Sequence, residues 1–103
     1  MTKLPKMYSD FLEGYPDMAA AYQSLGKAAG ESGPLEEKER ELIKLGIAVG
    51  AGSEGAVHSH VRRALEMGAT NEEIRHAVLL SITTIGLPAM MAALTWAEDI
   101  LKN

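Results

Sequence analysis

Cysteine is absent from this 103-residue chain. Its absence removes disulfides, thiolate nucleophiles, cysteine-ligated zinc and iron–sulfur clusters in one step. Nothing in the composition then favours an oxidising compartment, and a cytoplasmic location is the expectation. A positive surplus is missing as well. Ten Lys and Arg stand against 14 Asp and Glu, a net charge of −4 with a pI near 5.3. Arg40, Lys44, Arg62 and Arg63 are scattered among acidic residues, so no basic face is offered to nucleic acid or to an anionic membrane. Met1 to Leu12 has no sustained apolar run, and no signal peptide is expected there. Ala77 to Ala97 carries no charge, but Gly86-Leu87-Pro88 interrupts it. Pro88 lacks a backbone donor and suits the first turn of a new helix. Two packed helices are expected there, not a membrane span.

What remains is an ordinary globular composition, 47% apolar and 23% charged. The length supports one domain, residues 1–103. So short a chain buries a small share of its surface, which makes self-association an expectation. Strand-like alternation is nearly missing, and the chain reads as all-α, a compact helical bundle. Pro5 and Pro16 suit N1 positions, predicting helices over Pro5–Glu13 and Pro16–Ala29. Gly30 to Pro34 reads as a linker, and Glu36 and Glu37 suit the positive end of a helix running from about Pro34 to Val49. Ser53 is a natural N-cap for a helix reaching Met67 and stopping at Gly68. Thr70 and Glu73 have the spacing of a capping box, opening a helix expected to end near Ile85. The last helix is expected over Pro88 to Leu101.

Two titratable residues stand out by position. His60 lies on the stripe of Val57, Val61 and Ala64, which predicts an inward imidazole. His58 falls with Glu54, Arg62 and Leu65 and is expected to face outward. Glu41 shares a stripe with Leu45 and Ala48. From spacing alone His60 reads as a satisfied core histidine, and Glu41 as an exposed carboxylate paired with Lys38 or Lys44. A Glu41 buried beside His60 would instead form a pair able to pass a proton near neutral pH. Glu54 and His58 have the i, i+4 spacing of helical metal ligands, with His76 as a possible third donor. A surface ion pair explains them more simply, so no metal and no cofactor are expected. Ser59 has no nucleophile-elbow context. The glycines of Gly50-Ala51-Gly52 lack the setting of a phosphate loop. Met90, Met91 and Trp96 read as packing or subunit-contact residues.

The run from Lys38-Glu39-Arg40-Glu41-Leu42-Ile43 to Gly68-Ala69-Thr70-Asn71-Glu72-Glu73-Ile74 resembles the carboxymuconolactone decarboxylase/alkyl hydroperoxidase D-like family. Redox members carry a glutamate in such a run, then Cys-x-x-Cys-x-x-x-His, then a Gly-x-Thr-x-Glu-Glu-Ile turn and helix start. Aligned without gaps, the glutamate is Glu41, the cysteine positions hold Ser53 and Ala56, and the histidine is His60. Gly86-Leu87-Pro88-Ala89 resembles the Gly-x-Pro-Ala turn of the decarboxylase branch. The resemblance is strongest over residues 35–101. Thr84 departs from it, standing where an aromatic residue would precede the glycine.

The resemblance implies an all-helical protomer of the alkyl hydroperoxidase D-like type, assembling into trimers or hexamers. It implies catalysis by His60 and Glu41, with Ser53, Ala56, Gly86 and Pro88 as candidates for the substrate pocket. With Ser53 and Ala56 in the cysteine positions, dithiol peroxide reduction cannot operate. The expected activity is therefore cofactor-independent acid–base decarboxylation of a small organic acid or lactone. The alternative is a catalytically silent oligomeric binding module of the same fold.

Overall fold

A computed structural model describes residues 5–101. The described residues form seven helices and no strand. Chain contacts group the chain into two compact units, Met1–Leu35 and Glu36–Asn103. The first unit holds α1 (Lys6–Gly14) and α2 (Pro16–Gly30). Tyr8, Phe11 and Tyr15 form an aromatic file, with ring centroids 6.4 and 6.0 Å apart in successive pairs. Pro16 occupies the first turn of α2, as its missing donor and fixed φ favour.

The second unit holds α3 (Glu37–Ala51), α4 (Glu54–Glu66), α5 (Asn71–Leu79), α6 (Ile82–Ile85) and α7 (Leu87–Leu101). Its helix ends follow local chemistry. α3 begins three residues beyond Pro34 because Glu36 and Glu39 close a capping box, in which the Glu36 N–H donates to Glu39 Oε1 at 3.1 Å. Ser53 caps α4, its Oγ accepting from the Ala56 N–H at 3.3 Å. Thr70 and Glu73 form the box expected from their spacing, with bonds of 2.9 and 3.0 Å. Gly52 (φ +66°) and Gly68 (φ +97°) end α3 and α4 in the left-handed region, which an L side chain resists. Beyond Gly68, the Ala69 N–H returns to the Ala64 carbonyl at 2.9 Å.

One expected helix is two. The segment opening at Thr70 breaks after Leu79 and resumes as the single turn α6. Ser81 supplies the reason: its hydroxyl and its N–H both donate to the Val78 carbonyl, at 2.7 and 3.0 Å. A side chain that competes for a backbone acceptor favours a turn. The β-branched run Ile82-Thr83-Thr84-Ile85 does little to restore a long helix. Gly86, at φ +94°, then redirects the chain into α7. Among the described residues no helix is long and apolar enough to cross a membrane.

The core of the second unit draws one stripe from each of α3, α4, α5 and α7. Leu45 of α3, Val57 and Val61 of α4, and Ile74 and Val78 of α5 are fully buried. Ala93 and Ala97 of α7 lie against them with Ala48, Ala64 and Ala69. These small residues let helix axes approach closely, and the larger ones fill the gaps between layers. Glu41 is buried at the head of the α3 stripe, one turn before Leu45. That places a carboxylate at the edge of an apolar layer.

Candidate functional site: the Glu41–His60 pair

A buried carboxylate needs partners, because leaving it unpaired costs far more than a typical hydrogen bond returns. Glu41 has two. Its Oε1 lies 2.9 Å from His60 Nδ1, across the α3–α4 contact. Its Oε2 lies 3.4 Å from Lys44 Nζ, one turn along α3. Both sequence readings of Glu41 are therefore met in part: it pairs with a lysine, and it also faces the histidine. Lys38, the other lysine considered for it, reaches Glu73 at 3.1 Å instead.

An ionised carboxylate only accepts, so where Glu41 is ionised the proton between its Oε1 and His60 Nδ1 belongs to Nδ1. In that tautomer Nε2 carries no proton. The His60 side chain keeps 20% of its surface exposed and that of Glu41 11%. Solvent or a small ligand can therefore reach the ring, while its orienting carboxylate is mostly covered. A carboxylate at this distance restrains the orientation of the ring.

The expected contrast between an inward His60 and an outward His58 does not hold. The His58 side chain is 23% exposed, close to His60, because α7 covers it and brings Asp99 Oδ2 to 3.0 Å from its Nε2. Helical phase describes one helix, whereas exposure depends on what packs against it. The pocket candidates also scatter. Ser53 is an exposed helix cap, Ala56 packs against the core, and Pro88 is exposed in the first turn of α7. Gly86 is half-buried at the start of α7. A groove of about 590 Å³ lies elsewhere, between α3, α5 and α6, with Leu42, Ile43, Gly46, His76, Leu80 and Thr84 among its walls. None of the four pocket candidates lines it, and neither does Glu41 or His60. On α3, Leu42, Ile43 and Gly46 turn toward this groove, while Glu41, Leu45 and Ala48 turn toward the core.

Three more polar clasps tie the helices together, and sequence spacing had announced none of them. Lys38 of α3 meets Glu73 of α5, Arg75 of α5 meets Glu98 of α7, and His58 of α4 meets Asp99 of α7. Partners 23 to 41 residues apart have no local signature. The Thr70 backbone N–H, and then the Lys38 ammonium, hold the Glu73 carboxyl below its ordinary value near 4.5. The Arg75 guanidinium does the same for Glu98, with Nε and Nη2 at 2.6 and 3.0 Å from its two oxygens. A carboxylate lowered in the folded state contributes stability that is fully present above its unfolded pKa. That contribution is lost as pH falls through the folded value. The melting temperature is therefore expected to be insensitive to these two groups above about pH 5 and to fall with acid below it. Circular dichroism melts across that range check this. Glu73→Gln and Glu98→Gln should each flatten part of the acid limb and change little at neutral pH beyond the loss of one exposed ion pair.

Known proteins resemble the chain along most of its length. A crystal structure of a carboxymuconolactone decarboxylase family protein from Legionella pneumophila, in its apo form, superimposes with a TM-score of 0.75. It is 27% identical in sequence, and the match covers 93% of this chain and 88% of that one. An uncharacterized protein of Haemophilus influenzae is 41% identical over 59 residues, 57% of this chain and 52% of its own. The 4-carboxymuconolactone decarboxylase of Acinetobacter baylyi is 29% identical over 69 residues, 67% of this chain and 52% of its own. This chain thus spans about half the length of those two relatives. Residues 16–99 match the profile of the carboxymuconolactone decarboxylase family, and the chain belongs to that family.

Proposed function

We propose that this protein is a cofactor-independent acid–base enzyme that decarboxylates a small organic acid or lactone, with His60 carrying the proton. The observation that supports the reading is the 2.9 Å contact between Glu41 Oε1 and His60 Nδ1. Loss of carbon dioxide breaks a carbon–carbon bond and leaves its electron pair on the substrate, where a conjugated carbonyl can accept it. The carbon framework then needs one proton. Imidazole exchanges a proton near neutral pH and can supply it without a metal. In the proposed cycle His60 Nε2 delivers that proton, Glu41 keeps Nδ1 protonated and the ring in place, and solvent reprotonates Nε2. The similarity to a 4-carboxymuconolactone decarboxylase makes a lactone of that kind the first substrate to test.

Self-association is part of the proposal. Ile47 and Leu80 are 65% and 61% exposed, and large exposed apolar side chains of this sort favour contact with another copy. The alternative, a silent binding module, makes the same structural demands without turnover. The test is incubation of chelator-treated protein with 4-carboxymuconolactone while carbon dioxide release is followed. Turnover above the uncatalysed rate is expected. Failure with this lactone and with a panel of small activated carboxylic acids would favour the silent module.

A further inference from the structure

Glu54 and His58 sit one turn apart on α4, and α7 brings Asp99 against them. One oxygen of Glu54, one ring nitrogen of His58 and one oxygen of Asp99 all lie within 4.8 Å of one another. Two positions apart on a helix are turned by about 200°, so these donors leave α4 on a different side from His60. We infer that Glu54, His58 and Asp99 form a binding site for a divalent first-row transition-metal ion, with zinc the ion they suit best.

Charge supports this over a plain ion pair. The contact between His58 and Asp99 engages one carboxylate, while Glu54 adds a second negative charge within the same few ångströms. Two carboxylates and a neutral imidazole carry a charge of −2, which a divalent ion balances by taking the place of the proton shared between His58 and Asp99. Geometry agrees. Zinc–nitrogen and zinc–oxygen bonds of about 2.0–2.2 Å put tetrahedral donors roughly 3.3 Å apart. Donors within 4.8 Å of one another need to close by at most about 1.5 Å to reach that spacing. Glu54 is exposed and the Asp99 side chain is 51% exposed, so both have room to move. The mixed nitrogen and oxygen set disfavours magnesium and calcium, which prefer oxygen donors alone.

The experiment uses the chelator-stripped protein titrated with cobalt(II), whose visible bands report coordination, and with zinc(II) by calorimetry. One equivalent of cobalt is expected to bind and zinc to displace it. His58→Gln and Asp99→Asn should each weaken binding at least about tenfold. His60→Gln and His76→Gln, which keep the three donors, should leave it intact. Glu54→Gln removes an exposed ligand that makes no core contact, so its loss of affinity is readable even if the other variants fold poorly. The inference is overturned if wild type takes up no zinc at millimolar concentration, or if His58→Gln and Glu54→Gln bind as tightly as wild type. It is equally overturned if binding follows His60 instead.

Discussion

His60→Gln is expected to lower the decarboxylation rate by about 10²- to 10⁴-fold, the usual contribution of a positioned general acid or base. Glutamine keeps a polar side chain of similar reach but exchanges no proton near neutral pH, so the loss should fall on the catalytic step more than on binding. His58→Gln, measured without metal, should stay within a few-fold of wild type, because His58 bonds to Asp99 and not to the carboxylate on α3. Rate measurements on the two variants, with circular dichroism to confirm folding, decide between them. Equal loss in both would mean that the second histidine shares the chemistry. No loss in either variant of an active protein would return Glu41 and His60 to a structural role.

The second large effect concerns stability. Leu45 is fully buried on the stripe that begins with Glu41. Leu45→Ala is expected to cost about 2–5 kcal/mol, from lost burial and from a cavity that the layer of alanines around it fills poorly. For a domain of this size that is a fall of roughly 10–40 °C in melting temperature. It is also a large fraction of the roughly 5–15 kcal/mol that holds a typical domain folded. Chemical denaturation should show a lowered midpoint with an unchanged slope, since the surface exposed on unfolding barely changes. A loss under 1 kcal/mol would mean that α3 packs less tightly than its burial indicates.

What could be read from the sequence was chiefly what is local. Ser53 and Thr70 cap their helices where expected because capping involves a side chain and backbone groups two or three residues away. Gly68 stops α4 for an equally local reason. The break after Leu79 was missed because Ser81 in an apolar run reads as a tolerated helix residue until its hydroxyl is seen on the Val78 carbonyl. The Glu41–His60 contact could not be read from periodicity, which placed each residue on a stripe without saying that the stripes meet. Asp99 had no signal at all. It lies 41 residues from His58, and only the packing of α7 on α4 gives that histidine a partner.

The proposed proton transfer depends on Glu41 facing a proton-bearing Nδ1 of His60 and leaving Nε2 to exchange the proton. Nitrogen-15 NMR of the His60 ring in its neutral form reads this directly. The prediction is a protonated Nδ1 and a bare Nε2. A neutral ring protonated on Nε2, with Nδ1 bare, would contradict the account, because the nitrogen facing Glu41 would then be unable to donate to it.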